Sequence, residues 1–389
     1  MRYCSILATF AALHQIAQGL NILITNDDGF GSANTRELYK QMTALGHDCY
    51  VVAPATDQSD MGGRVDFTSS ATLTTNSGWD IIKAGAPAIG NDPNDSHIFY
   101  YNGTPAAQVM VALDYVLPTF ANFSTPDLVL TGPNFGWNLG PFMYTLSGTV
   151  GAAYAAVERG IPAIAFSSGN SDQTPYYWVN ASTKAGLQDP ATITARLAAN
   201  LAQALIKNAA GSRVLPLGYG ITVNMPYITS HTSNQCINPP FVLTRMTGDA
   251  VIEKAVYDPK TKVFSYSNIN AGGANKCING DCSLPSETDV MNTGCMSSVT
   301  FFTVDYDAPY RATCDNATDV TTIIPIVVQL NGTTPPPGSG PNTTVVGQPP
   351  SMPSTSSPPR VTAIASSGVV VEWSLSALLF GLGIAVFSL

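Results

Sequence analysis

The chain has 389 residues, a net charge of −9 and only 11% charged residues, against about 25% in an ordinary soluble domain. That length allows one large domain or two. The acidic balance argues against a nucleic-acid polymer as partner, but leaves a small anionic substrate open, because a bound cation reverses the local field.

Residues 1–19 have the pattern of a signal peptide, with Arg2 at the start, an apolar core at 6–12 and Ala17-Gln18-Gly19 as a small-x-small cleavage site. A strand follows at once. Ile22, Leu23 and Ile24 form the short branched run of a strand covered on both faces. The run ends in Thr25-Asn26-Asp27-Asp28-Gly29-Phe30-Gly31. Asn34 and Glu37 have the spacing of an N-cap and its reciprocal partner, and Leu38, Met42 and Leu45 recur at helical spacing. The acids therefore stand at the carboxyl end of a strand, where open α/β sheets bind ligands. On a regular strand they would point apart, but Gly29 and Gly31 let the backbone turn so that both converge. Two close carboxylates repel unless a cation or a shared proton separates them, and a hard divalent ion suits oxygen ligands. On these residues alone a solvated turn is the alternative.

Residues 48–53 are the second strand, completing a right-handed βαβ unit. The loop at 55–60 leaves the same sheet edge, so Ser59 can reach the acid pair. Residues 65–101 read as an antiparallel excursion, with β-rich segments at 65–74, 79–83 and 98–101. Asn102-Gly103-Thr104-Pro105 opens a helix to about 117, Thr104 as N-cap and Pro105 in the first turn. Residues 127–130 are a central strand running into Thr131-Gly132-Pro133-Asn134-Phe135-Gly136-Trp137-Asn138-Leu139-Gly140, where so many Gly and Asn residues indicate close approach to a ligand. Ser147-Gly148-Thr149-Val150-Gly151 starts a helix of small residues. Free N–H groups and hydroxyls there suit an anion, and close helix–sheet packing is the alternative. A strand at 161–166, a helix at 191–206 and a strand at 221–224 complete an α/β domain with a doubly wound, mostly parallel, Rossmann-like sheet. The dinucleotide fingerprint is not met, since Asn34 stands where its third glycine would be.

Of seven cysteines, Cys4 leaves with the leader and Cys49 reads as a small buried hydrophobe. Cys236, Cys277, Cys282, Cys295 and Cys314 crowd into the last third as candidates for disulfides, with Cys277 and Cys282 as neighbours that could pair. No second short-spaced pair or nearby His supports zinc. Sequons begin at Asn94, Asn102, Asn122, Asn180, Asn316, Asn331 and Asn342. A Pro/Ser/Thr tract over 332–360 reads as an extended stalk. Ser366-Ser367-Gly368 before an apolar tail at 375–389 matches a GPI-attachment signal, with a single span interrupted by Glu372 as the alternative. The expected organisation is a leader at 1–19, a main domain at 20–310, an extension carrying cysteine at 311–331, a stalk at 332–365 and an anchor signal at 366–389. A cell-surface location, with membrane attachment only through lipid, follows from it.

Five stretches in order resemble the SurE family of metal-dependent phosphatases and nucleotidases: Ile24 to Gly29; Val51-Val52-Ala53-Pro54 with Gln58-Ser59; Asn102 to Pro105; Gly132-Pro133-Asn134 with Gly136 and Asn138; and Ser147 to Gly151. The resemblance implies an α/β fold, often dimeric or tetrameric, that hydrolyses small phosphate monoesters with Mg²⁺ or Mn²⁺. By position it implies Asp27, Asp28, Ser59 and Asn134 as metal ligands and Asp27, Asp28 and Asn134 as catalytic residues. Asn26, Asn138, Ser147, Gly148 and Thr149 would contact substrate. Water or Asp27 would attack phosphorus. Phe135 stands where the family often has His, and Asp60 where it often has Gly. The competing expectation is a catalytically inactive binding or adhesion protein on the same fold, given the stalk and anchor.

Overall fold

The computed structural model describes residues 19–246, 254–267 and 283–305. The leader, the stalk, the anchor signal and Cys277, Cys282 and Cys314 lie outside the described residues. Described residues belong to one of the chain's two units, Met1–Val327.

Strand β1 (Asn21–Thr25) is the fourth strand of a nine-stranded sheet, next to its central one. It pairs in parallel with β2 (Asp48–Pro54) on one side and with β5 (Leu128–Phe135) on the other, Ile24 lying level with Val51 and Leu130. Beyond β2 come β4 (Asp95–Tyr101), parallel to it, and β3 (Ile89–Asp92), antiparallel to β4 at one edge. Beyond β5 come β6 (Ala163–Ser168) and β7 (Tyr219–Met225), both parallel. The far edge is built from later chain: β11 (Ser297–Thr303) lies antiparallel against β7 and parallel to β8 (Phe241–Thr244). A separate hairpin joins β9 (Lys254–Asp258) and β10 (Val263–Ser267).

Alternation along β1 explains the two cores. Ile22 and Ile24 face one layer, where α1 (Ala33–Ala44) and α6 (Pro190–Ala209) pack with Leu38, Met42, Ile193 and Leu197. Leu23 faces the other, where α2 (Pro105–Val111) and α5 (Gly148–Glu158) pack with Val109, Val150 and Ala153. Small residues in α5 also let the loop after β2 come close: a Cβ on Gly151 would lie 2.0 Å from the Gly62 carbonyl oxygen. The chain runs outward from β1 in both directions, so the switch in strand order falls beside β1's carboxyl end.

Several local expectations are corrected. Ser32, not Asn34, precedes α1, and no side chain caps it. Asn34 Nδ2 instead donates to the Pro133 carbonyl, and Glu37 accepts from Lys40 and Thr192. Tertiary partners outcompete the local capping box. In the excursion, residues 65–74 make only isolated bridges, Phe67 with Gly103 and Thr72 with Pro87. Residues 78–80 are a 3₁₀ turn with Trp79 at φ 54°. The last segment, β4, belongs to the main sheet. Residues 112–116 add a turn of π-helix after α2, and α3 (Leu117–Phe120) extends the helical run beyond 117. Cys236 pairs with Cys295, and Cys49 is free and buried, as expected of it.

Candidate active site

The turn after β1 is a closed hydrogen-bonded unit. Gly29 N–H donates to Asn26 Oδ1, and Asn26 Nδ2 donates to the Gly29 carbonyl and to Thr35 Oγ1. Gly29 sits at φ 107°, which only glycine adopts freely. Asn26 is fully buried and both its N–H donors are used inside the turn. It therefore shapes the loop rather than facing a ligand.

Asp27 and Asp28 are 2% and 1% exposed. Asp27 is pinned from the opposite element: the Thr149 N–H donates to its Oδ2 at 3.0 Å and Thr149 Oγ1 donates to its Oδ1 at 2.5 Å. Gly148 permits this contact, since a Cβ there would stand 2.8 Å from Asp27 Cβ and 2.7 Å from Pro105 Cγ. Asp28 Oδ1 accepts from Gln173 Nε2 at 2.9 Å, whereas its Oδ2 is buried with no hydrogen-bond partner. Burial pushes Asp27 up to about 6, against the lowering effect of its bonds with Thr149. Asp28 is raised well above the usual carboxylate range by burial first, then by the charges of Asp27 and Asp57. Both results express one fact, that negative charge is enclosed there without enough compensation.

The other expected residues stand at the end of β5 and just after it, in the loop after β2, and at the start of α5. Asn134, at the end of β5, donates its Nδ2 to the Gly136 carbonyl at 3.1 Å, and the backbone of the adjacent Phe135 reaches the Asp28 carboxyl. Asn138 is buried, donating its N–H to Asn224 Oδ1 and its Nδ2 to Ser167 Oγ. Ser147 Oγ accepts the Val150 N–H as the N-cap of α5. Its own proton is left to donate elsewhere. Ser59 is exposed, and both its N–H and its hydroxyl donate to Asp57 Oδ1. Between them Gln58 N–H donates to the Asp27 carbonyl at 2.7 Å, stitching this loop to the acid turn.

A family model described as Survival protein SurE matches residues 22–250, more than half of the chain. The chain belongs to the SurE family. An acid phosphatase of Yarrowia lipolytica is 44% identical over 292 residues, covering 74% of this chain and 80% of that one. A 5'-nucleotidase SurE of Desulfovibrio desulfuricans is 36% identical over 149 residues, 38% of this chain and 49% of its own length. One from Methanocella arvoryzae is 31% identical over 226 residues, 58% of this chain and 71% of its own. The crystal structure of a SurE protein from Aquifex aeolicus shares the fold, with a TM-score of 0.51 at 20% identity, covering 80% of this chain and 99% of that one.

The span matched to SurE stops short of another buried acid. Glu287, in α7 (Glu287–Asn292), is fully buried. It accepts from the Gly140 N–H at 2.6 Å, from Tyr144 at 3.1 Å and from Thr300 at 3.2 Å. Tyr144 also bonds Thr222. Thus the late segment holds α4 (Gly140–Leu146), the helix between Asn138 and Ser147. Sequence reasoning did not single out Asp57 and Gln173, which bond Ser59 and Asp28, or Glu287, which braces α4. Only Asp57 had any sequence signal, an acid two residues before Ser59.

Proposed function

We propose that this SurE-family chain is a divalent-metal-dependent hydrolase of small phosphate monoesters, at the cell surface. The observation that carries the metal reading is Asp28 Oδ2, a carboxylate oxygen enclosed beside a second carboxylate and without a partner. Such an atom is costly unless something positive meets it. The donor set fits a hard cation: two carboxylates, the Ser59 hydroxyl and the Asn134 side-chain oxygen, which stays available because Nδ2 makes the bond to Gly136. These four residues would hold the ion. When bound, a divalent ion supplies positive charge to a phosphoryl oxygen and lowers the pKa of water.

The chain's own groups do the rest. Thr149 fixes Asp27 with two bonds, so the acid pair does not relax apart. The first turn of α5 presents its positive end and the Ser147 proton to a phosphoryl group. Asn138 is held rigid by Asn224 and Ser167. The named activities of the Yarrowia and bacterial relatives, acid phosphatase and 5'-nucleotidase, support phosphomonoesters as the substrate class. The terminal patterns at 1–19 and 366–389 support export and lipid attachment.

The deciding experiment is hydrolysis of p-nitrophenyl phosphate by the purified protein, chelated and then resupplied with Mg²⁺ or Mn²⁺. Activity lost on chelation and regained with metal is expected. Full activity in chelator overturns the metal dependence, and none under any condition overturns the enzyme. GPI-specific phospholipase should release the protein from membranes; retention in the pellet with the tail still present refutes lipid attachment.

A further inference from the structure

Asp57 lies in the loop after β2, two residues before Ser59. Its Oδ1 accepts the Ser59 N–H at 3.0 Å and the Ser59 hydroxyl at 2.7 Å. The serine proton is therefore spent on Asp57, which leaves the lone pairs of Ser59 Oγ as its remaining bonding capacity. Gln58, between the two, is bound to the Asp27 carbonyl, so the loop cannot swing away from the acid turn without breaking that bond. The charge of Asp57 raises both Asp27 and Asp28, so it lies within electrostatic reach of the pair. Independently, Asp28 Oδ2, on the acid turn to which Gln58 is bound, is buried without a partner. Asp57 Oδ1 is committed twice to Ser59, so Asp57 acts through that residue.

We infer that Asp57 is a positioning residue of the cation site: it orients Ser59 as a neutral oxygen ligand and adds a third negative charge at the rim. This rests on the reading of Ser59 as a ligand given above. An outer-shell carboxylate holding a ligand by its proton both fixes the ligand's rotamer and makes its oxygen a better donor. The exposed position matters as well. Asp57 is exposed, so its carboxylate stands at the entrance, where charge draws cations inward.

The test is calorimetric titration with Mn²⁺ of chelator-stripped protein, for wild type, Asp57→Ala, Asp57→Asn, Ser59→Ala and the double variant Asp57→Ala/Ser59→Ala. Asp57→Ala should weaken Mn²⁺ binding roughly tenfold or more. Asp57→Asn should fall between, since it keeps an acceptor for Ser59 but loses the charge. The double variant should bind about as weakly as the weaker single one, because the two residues act as a unit. Wild-type affinity in Asp57→Ala, or strictly additive losses, overturns the inference while leaving the metal reading standing. Failure of the wild type to bind Mn²⁺ overturns the metal reading and this inference with it. Melting curves accompany each titration, and Asp57→Asn carries the test if the alanine variant does not fold.

Discussion

Asp27 and Asp28 share a turn but differ in what satisfies them. Asp27 spends both oxygens on Thr149, whereas Asp28 keeps one oxygen unpaired. Asp28→Asn should therefore abolish metal-dependent turnover, by orders of magnitude, and weaken Mn²⁺ binding. Its effect on the metal-free fold has the opposite sign. The folded protein raises Asp28 well above 3.8, so it holds a proton that the unfolded chain has already released. Stability is thus complete below about pH 4 and is lost as pH rises through the folded value. In chelator at pH 7 to 8, Asp28→Asn should melt a few degrees higher than wild type, and the gap should close by about pH 4. A lower melting point at neutral pH would show that the carboxylate is already compensated by the protein. The acid pair was legible in the sequence because an apolar run, two acids and two glycines together dictate a turn at a strand end. Asp57 was not, since an exposed loop aspartate before a serine looks like ordinary turn chemistry. Glu287 could not be read locally at all: its partner Gly140 is 147 positions away.

At the level of elements, α5 has two jobs at one end. Ser147 caps the helix through the Val150 N–H, so Ser147→Ala should cost about 1 kcal/mol of stability. Binding of phosphate should weaken as well, read as a rise in KM. The sequence pattern left an anion-facing helix start and close packing both open; the cap adds a stabilising role for Ser147. Gly148→Ala should be worse, since its Cβ meets both Asp27 and Pro105 below 3 Å. A loss of about 1–3 kcal/mol is expected by chemical denaturation. A second pH dependence comes from Glu287, pushed up to about 7 mainly by burial, with its bonds to Gly140, Tyr144 and Thr300 acting the other way. Folded Glu287 keeps its proton between 4.5 and about 7, where the unfolded chain has lost it. Stability therefore falls across that window as pH rises, by on the order of 3 kcal/mol. Glu287→Gln should flatten the profile, and an unchanged slope in urea titrations from pH 4 to 8 would refute this. The parallel strands and α6 were readable because buried runs and helical spacing are strong local signals. The 79–83 segment was not, because its turn is set by Trp79 at positive φ, a tertiary choice that its β-forming residues do not announce.

For the molecule as a whole, the Cys236–Cys295 bond closes a loop of 59 residues. It ties the segment before β8 to a point two residues before β11. Loop entropy alone gives such a bond about 4 kcal/mol, so Cys295→Ser, or reduction, should lower the melting midpoint by several degrees. An unchanged midpoint would mean that the sheet pairing of β11 suffices. Neither β8 nor β11 was expected, because short strands at a sheet's edge, with polar residues among the apolar ones, carry weak patterns.

The placement of β11 also has a consequence for how the polypeptide is made. It lies between β7 and β8, yet it is synthesised after both. While the ribosome is adding residues 226–296, β7 has an open flank and β8 has no neighbour to join. An open flank of this kind is a template for pairing with another chain. Cys236 likewise lacks its disulfide partner until Cys295 emerges. A nascent protein halted near residue 250 would carry the acid turn, its Thr149 brace and most of the parallel sheet, together with an unsealed edge. Such a fragment should be retained by chaperones or precipitate, and the cell acquires a soluble product only once the last strand has slid into its slot.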